Sequence, residues 1–419
     1  MSKDARERSK WKVRLVEWTD GLSSGVPRPV RKLILECVFG MLTSGSMQLS
    51  EIARSLQEPT RVHHTLKRLS RMLSKHSEVA WLAEGLQLSR LGLRVTEEMI
   101  VAVDAGDLNR DGAERSEHRC RVRDGDAGEI VGGYPLMTVV ARDVGTGRTL
   151  PLLTRLLSSA RYGFRSENWD LLSVMDQVAR HLPGKRLWVV DRGGDRGELW
   201  EHWLSRDWDV LVRVMNLRHW LWRGGRYRAQ EIACRLPLKH RGRLRRNGAD
   251  EVRFGITRVH LPAHAGHPLW MVVVRHGKRE PMVLVTSRPV RGRRQGERMI
   301  QAYMDRWACE EAYRFTKQGF QAERVQVRRF ATLQNLVALA SLAWGFLAAF
   351  EEDAEHLAIR ARRLKPRKRP SFPFYTLIRG WQRLFAAARE VFYPWLRGKR
   401  PKAPPQLPLF PPSPGALLA

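Results

Sequence analysis

Cysteine is scarce and scattered. Cys37, Cys120, Cys234 and Cys309 are the only four in 419 residues, and no two form a CxxC pair. A structural zinc site is therefore not indicated, and a set of reduced thiols is the simple reading. The glycine pairs Gly132–Gly133 and Gly193–Gly194 form neither a GxGxxG fingerprint nor a Walker loop, so nothing points to ATP use. The opening residues MSKDARERSK are polar and lack the apolar stretch of a signal peptide. No amphipathic basic helix or lipidation signal marks a membrane-surface protein. Long apolar runs are few. The strongest, Leu333 to Phe350, contains Gln334, Asn335 and Ser341 and follows Arg328 and Arg329. A buried helix is the better reading of it than a membrane span.

Acidic residues are also in short supply. Against 74 Lys and Arg stand 43 Asp and Glu, a formal net charge of +31. A surplus of that size favours polyanionic partners, most simply nucleic acid. It is unevenly spread. Residues 216–300 hold 20 Lys and Arg but 5 Asp and Glu, so about half of the surplus sits in a fifth of the chain. Such a segment reads as one that contacts nucleic acid.

Residues 1–95 read as a helical N-terminal DNA-binding domain. Leu33–Leu42 is a short apolar helix, and LSEIARSLQEPTRVHHTLKRLSRML gives two more. Ser50 and Thr60 are candidate caps around the Gln57–Glu58–Pro59 turn. The pair is compatible with a helix-turn-helix reader of the major groove and equally with an ordinary helical hairpin. Arg61, Lys67, Arg68 and Arg71 favour DNA. From residue 96 to 215 the texture is α/β. MIVAVD and RLWVVD are buried strands ending at Asp104 and Asp191, with YPLMTVVA and RTLPLLTRLL between them around a turn. A polar loop covers residues 105–133, Ser166 opens a helix, and another helix and the strand WDVLVRV follow. Strands that end in aspartate place it where ligands gather in open sheets, and the element order suits a mixed sheet covered by helices. Residues 216–295 are basic and strand-rich. Residues 296–350 hold a helix and the apolar run, 351–397 a helical C-terminal region, and 398–419 a Pro-rich disordered tail.

The run YMDRWACEEAYRFTK carries the most chemistry. On one helix, Tyr303, Arg306, Glu310 and Lys317 fall within an arc of about 60°. A lone strand-end aspartate is more often a turn former than a metal ligand. Two of them together with this face make a different case. Asp104, Asp191 and Glu310 are candidate catalytic residues and metal ligands. They suit two divalent ions, Mg²⁺ or Mn²⁺, clamped on a phosphodiester, because hard oxygen donors prefer hard cations. Arg306 and Lys317 are candidate phosphate contacts, and Tyr303 a hydrogen-bonding or stacking group. His118, His219 and His240 lack metal-ligand spacing.

The spacing Tyr303-x2-Arg306-x3-Glu310-x6-Lys317 resembles the Y-R-E-K signature of the IS4-type DDE transposases. VVDRGGD at Asp191 resembles their second-aspartate motif, and VAVDAGDLNR at Asp104 the first; together the likeness spans roughly residues 99–345. The resemblance implies an RNase H-like mixed-sheet catalytic core with a β-strand insertion, flanked by helical N- and C-terminal regions. It implies a bacterial, cytoplasmic, nucleoid-associated enzyme. Its work would be metal-dependent cleavage at the terminal inverted repeats and strand transfer of 3′-OH ends into target DNA. A homodimer in the synaptic complex, double-stranded DNA as partner and no membrane are further expectations. Arg192, beside the second aspartate, becomes a candidate DNA contact. Asp107 competes with Asp104 as first ligand. Asp195 is expected to cap the following helix. Met282 stands where some members carry a base-holding Trp, for which Trp220, Trp222 or Trp270 are candidate substitutes. A metal-dependent nuclease on the same fold and an immobile DNA-binding repressor are the alternatives.

Overall fold

The structure is a computed structural model. It describes residues 3–21, 25–125, 127–245, 249–277, 280–354, 357 and 372–386. The basic segment RARRLKPRKRP and the expected Pro-rich tail lie outside the described residues.

Five helices precede the first strand: α1 (Lys3–Thr19), α2 (Arg28–Ser44), α3 (Leu49–Leu56), α4 (Val62–Lys75) and α5 (Val79–Leu91). Gly45 ends α2 at φ +66°, its N–H donating to Met41 O (2.8 Å), a left-handed position that suits glycine. The helices α3 and α4 lie where the sequence put them, but their caps differ. Gln48 and Arg61 stand at the N-cap positions, and neither side chain bonds the helix. Ser50 lies inside the first turn of α3, and Thr60 instead bonds the Thr65 hydroxyl.

A mixed sheet follows. Strand β1 (Met99–Asn109) pairs antiparallel with β3 (Ile130–Asp143), which carries β2 (Cys120–Arg123) and β4 (Thr149–Leu156). After α6 (Glu167–Ala179), β5 (Leu187–Val190) pairs parallel with β1; after α7 (Gly197–Ser205), β6 (Val210–Arg213) pairs parallel with β5. The order β4-β3-β1-β5-β6 is an RNase H-like core, a three-stranded meander extended by two parallel strands. Ser166 caps α6 as its position promised, accepting from Trp169 N–H. The segment read as a loop over 105–133 is partly strand. Hydrogen bonding to β3 continues past Asp104 to Asn109, so Asp104 does not end its strand. It does follow the last residue of β1 that pairs with β5.

The basic segment builds β7 (His219–Trp222), β8 (Gly225–Arg228), α8 (Ala229–Arg235), β9 (His240–Arg245), β10 (Ala249–Leu261) and β11 (His264–Arg275). The next strand, β12 (Met282–Thr286), joins β11 to β6. The insertion therefore prolongs the core sheet into one 12-stranded sheet instead of forming a separate layer.

The chain then forms α9 (Arg293–Asp305), α10 (Ala308–Arg314), α11 (Phe330–Ala349) and α12 (Phe374–Ala386). Apolar all round, α11 packs on α5, β4, α2 and α12. By length and composition it is able to cross a membrane, yet nearly all of it is buried in protein. Its polar residues explain why. Asn335 accepts from Ala80 N–H (2.7 Å) and donates to Leu73 O and His76 O (both 2.9 Å). Gln334 donates to Leu156 O, and Ser341 accepts from Gln87. Each serves a neighbouring element, which a lipid-facing helix would not offer. Trp11 of α1, Phe346 of α11 and Trp381 of α12 pack edge to face, so the N- and C-terminal helices share one core.

Of the basic residues on α4, Arg68 is structural. It donates to Glu36 (2.8 Å), which is 1% exposed, and to Glu58 (2.8 Å). Arg68→Ala should cost about 2 kcal/mol by leaving buried carboxylates without that donor. Lys67→Ala, on the exposed side of the same helix, should stay within about 0.5 kcal/mol of wild type. Denaturant unfolding of both variants checks this, and equal losses would refute the assignment.

Candidate active site

Parallel pairing brings the two aspartates together. Val103 of β1 is in register with Val190 of β5, and Asp104 and Asp191 are the next residues along each strand. They leave neighbouring strands at the same level, at the carboxyl side of the parallel pair. Adjacent parallel strands lie about 4.8 Å apart, so the two carboxylates interact electrostatically.

The third carboxylate arrives by a helix that the sequence pattern described incompletely. A single helix through Tyr303 and Lys317 was expected. The chain instead breaks between α9 and α10 at Arg306 and Trp307, and widens to a π-turn over Phe315–Gly319. Arg306 stands at the break with its guanidinium turned inward. It donates through Nη1 to Asp104 Oδ2 and through Nη2 to Glu310 Oε1 (3.2 Å). On the preceding helix, Tyr303 donates its hydroxyl to Asp191 Oδ1 (2.7 Å). Asp104, Asp191, Glu310, Tyr303 and Arg306 thus form one connected cluster.

Lys317 is separate. Its ammonium pairs with Asp107 Oδ2 (2.8 Å) and Glu323 Oε1 (3.3 Å). The π-turn, which begins after Glu310 and includes Lys317, follows the stretch that carries the clustered Tyr303, Arg306 and Glu310. Asp107 also accepts from Gly125 N–H (3.1 Å). It lies three residues from Asp104 on an alternating strand, so its side chain points to the opposite face. Only Asp104 joins Asp191 and Glu310.

Several neighbours have defined roles. Arg192 opens a short 3₁₀ turn after Asp191 and is exposed. Asp195 does not cap α7: it is buried, accepts from Trp200 Nε1 (2.9 Å) and Met215 N–H (2.7 Å), and pairs with Arg218 (2.6 Å). Trp220 and Trp222 are buried, which removes them as base-holding groups; Trp270 and Met282 are half-buried on β11 and β12. Tyr313, not singled out by the sequence, donates its hydroxyl to the Asp104 carbonyl. Its ring lies over Gly106, where a Cβ would come within 2.8 Å of Tyr313 Cε1. The spacing Glu310-x2-Tyr313, one helical turn on, was its only sequence signal.

The electrostatics follow from crowding. Burial raises the Asp104 carboxyl above its ordinary value; Arg306 opposes that and Asp191 adds to it. Burial raises Glu310 likewise, again opposed by Arg306. For Asp191, burial acts upward, but Arg306, the Tyr303 hydroxyl and the Arg192 N–H outweigh it, and the carboxyl is held low. Tyr303 is pushed up to about 12 by burial and by Asp191. For Arg306, burial acts downward, yet the two aspartates prevail and keep it charged.

Among the described residues, no group of three or more His, Cys, Asp and Glu stands ready-made around a metal position. The guanidinium of Arg306 is a cation bridging Asp104 and Glu310. The donor set itself, three carboxylates with two of them raised despite that guanidinium, fits a hard divalent cation. Asp104, Asp191 and Glu310 are the residues that could hold it, once Arg306 gives up its bridge.

A carboxyl raised in the folded state favours folding below its unfolded-state pKa, and the advantage is lost as pH rises through the folded value. Asp104 and Glu310 are therefore a stability cost at neutral pH. Asp104→Asn and Glu310→Gln keep an acceptor for Arg306 and remove the charge. Each should melt about 2 °C above wild type at pH 7.5 in EDTA, with the gap closing toward pH 4. Adding Mg²⁺ should narrow or reverse it by raising wild type most. A variant that melts no higher in EDTA at pH 7.5 would contradict the crowding.

Residues 167–346 match the family model described as Transposase DDE domain. No curated protein matches the chain. A solved structure titled "Cryo-EM structure of piggyBac transposase synaptic complex with hairpin DNA (SNHP)" is similar at 12% identity and a TM-score of 0.44, over 95% of this chain and 83% of that one. The matched stretch includes Asp191 and Glu310 and begins after Asp104.

Proposed function

We propose that this chain is a cut-and-paste DNA transposase of the IS4 type, with Asp104, Asp191 and Glu310 as its catalytic carboxylates. The observation that carries the reading is the convergence of Asp104 and Asp191 from paired positions on β1 and β5, with Glu310 tied to Asp104 through Arg306. The three carboxylates would hold Mg²⁺ or Mn²⁺, two ions in this reading. Bound there, the ions supply activation of the attacking water or 3′-hydroxyl and relief of charge on the departing oxygen.

The chain's own groups do the rest. Tyr303 fixes the rotamer of Asp191 through its hydroxyl, leaving Oδ2 free of that bond. Tyr313 and Gly106 hold the backbone at Asp104. Arg306 balances the carboxylates in the free protein and, when released from them, has a planar donor fork suited to a DNA phosphate. Arg192, exposed beside Asp191, is placed to meet the same strand. Lys317 contacts DNA only by giving up Asp107 and Glu323. Substrates are the terminal inverted repeats and target DNA, worked on at the bacterial nucleoid by a homodimer, since both ends must be cut together.

Asp104→Asn, Asp191→Asn and Glu310→Gln should each lower Mg²⁺-dependent strand cleavage of transposon-end DNA by about 10³-fold while sparing DNA binding in EDTA. Cleavage near the wild-type rate in any one variant would remove that residue from the site. Cleavage without joined product, when 3′-OH ends and target are supplied, would replace the transposase reading with a nuclease.

A further inference from the structure

Away from the carboxylates, a groove of about 930 Å³ runs between α4 and the segment that leads into α11. It holds Lys67, Arg71 and Lys75 on one wall and Arg328 and Arg329 on the other. Among the described residues no carboxylate lines it; its remaining polar groups, Gln48, Ser50, Ser70, Ser74, Gln326 and Thr332, are neutral. Lys67, Arg71 and Lys75 are spaced four residues apart and are exposed, so they form a stripe along one face of α4. Among the described residues, none of these five cations has an acidic partner within 4 Å. The contrast with Arg68, one residue from Lys67 and bound to two glutamates, is sharp.

The groove is also held rigid. Ser74 bonds Thr332 across its floor (3.1 Å), and Asn335 ties the last turn of α4 to α11. On the opposite wall the backbone faces inward. Arg110 is buried and donates to Val325 O and Val327 O, and Glu117 N–H donates to Arg328 O (2.9 Å). Gln326, Arg328 and Arg329 are turned out as a result.

A second cavity, about 1120 Å³, continues this groove through the shared Gln48, Gln326, Val327 and Arg328. Its charges are of both signs, Arg115 and Arg324 beside Asp111, Glu114 and Glu323, and it reaches Asn109. Asn109 ends the strand that carries Asp104, five residues on, so its Cα lies about 17 Å along the strand from that of Asp104. Duplex DNA rises about 3.4 Å per step along a strand, which makes that span about five base pairs.

We propose that this groove is a duplex-DNA backbone site, formed jointly by α4 and the 324–329 segment, that grips phosphates at least about five base pairs from the position of chemistry. The partner is a polyanion of regular spacing, because the cations are periodic, unpaired and accompanied only by neutral donors. The site is not a base reader. Its stripe meets phosphates, whereas Arg61 at the N-cap of α4 and His63 and His64 in its first turn lie exposed beyond it. This inference rests on the transposase reading for the identity of the nucleic acid.

The test uses the full chain in EDTA and a labelled 40-base-pair DNA duplex of arbitrary sequence, with affinity measured over a salt series. Lys67→Ala/Arg71→Ala/Lys75→Ala should bind on the order of 100-fold more weakly at 0.1 M salt, with the slope of log K against log salt shallower by about 2.7. Arg328→Ala/Arg329→Ala, on the other wall, should flatten the slope by about 1.8, an independent measure should the triple variant misfold. Arg6→Ala/Lys10→Ala on α1, outside the groove, should leave the slope unchanged. Unchanged slopes in both groove variants, or a groove-dependent preference for an RNA duplex over DNA, would overturn the proposal. Groove-dependent DNA binding in a protein that never cleaves DNA would sink the transposase reading and leave the groove standing.

Discussion

Three carboxylates cannot be gathered at one point of a low-dielectric sheet edge without a cation. In this protein that cation is the guanidinium of Arg306. It bridges Asp104 and Glu310 and acts electrostatically on Asp191. The arrangement has consequences on both sides. The parallel register of β1 and β5 fixes where the two aspartates emerge, and the break between α9 and α10 frees Arg306 to turn in. Even with the guanidinium present, Asp104 and Glu310 remain raised. Burial is the main reason, and Arg306 offsets it only in part.

The helix break matters as much as the strands. An unbroken helix would put Tyr303, Arg306, Glu310 and Lys317 on one stripe. In the structure Arg306 and Glu310 still meet across the break, and the π-turn that begins after Glu310 includes Lys317. Tyr303, Arg306 and Glu310 serve the carboxylate cluster, while Lys317 is delivered to Asp107 and Glu323 at its border. Two centres of charge then lie on either side of β1, because alternate residues of a strand face opposite ways. Glu323 also borders the mixed-charge cavity that leads toward α4.

The basic surplus of the sequence divides into cations that hold the fold and cations that are left over. Arg68, Arg110 and Arg218 are of the first kind, bound to buried carboxylates or backbone carbonyls. Lys67, Arg71, Arg328 and Arg329 are of the second. Neighbouring residues on α4 fall into different groups because a helix turns 100° per residue, and composition alone does not separate them. The same limit applied to the insertion. Its strands were legible from their apolar runs, but β12 joining β6 to β11 is a long-range pairing that no local pattern specifies.

What the sequence determined by itself was the local chemistry. Alternating and continuous apolar runs specified β1, β5, β6, β11 and β12, and the polar interruptions at Gln334, Asn335 and Ser341 already set α11 apart from a membrane span. The residue types and spacing at Tyr303, Arg306 and Glu310, with aspartates closing two apolar segments, marked phosphodiester chemistry before any contact was known. Tertiary structure decided which of these groups meet. Asp104 was separated from Asp107 by the pleat of β1, Lys317 was paired with Asp107 and Glu323 and not with the cluster, and Asp195 was buried under Trp200 and Arg218. Caps at Ser50 and Thr60 were lost because the helices begin one or two residues away, with Gln48 and Arg61 at the N-cap positions. Periodicity describes a residue's neighbours along one element, whereas a site is built from distances between elements, set by strand register and core packing.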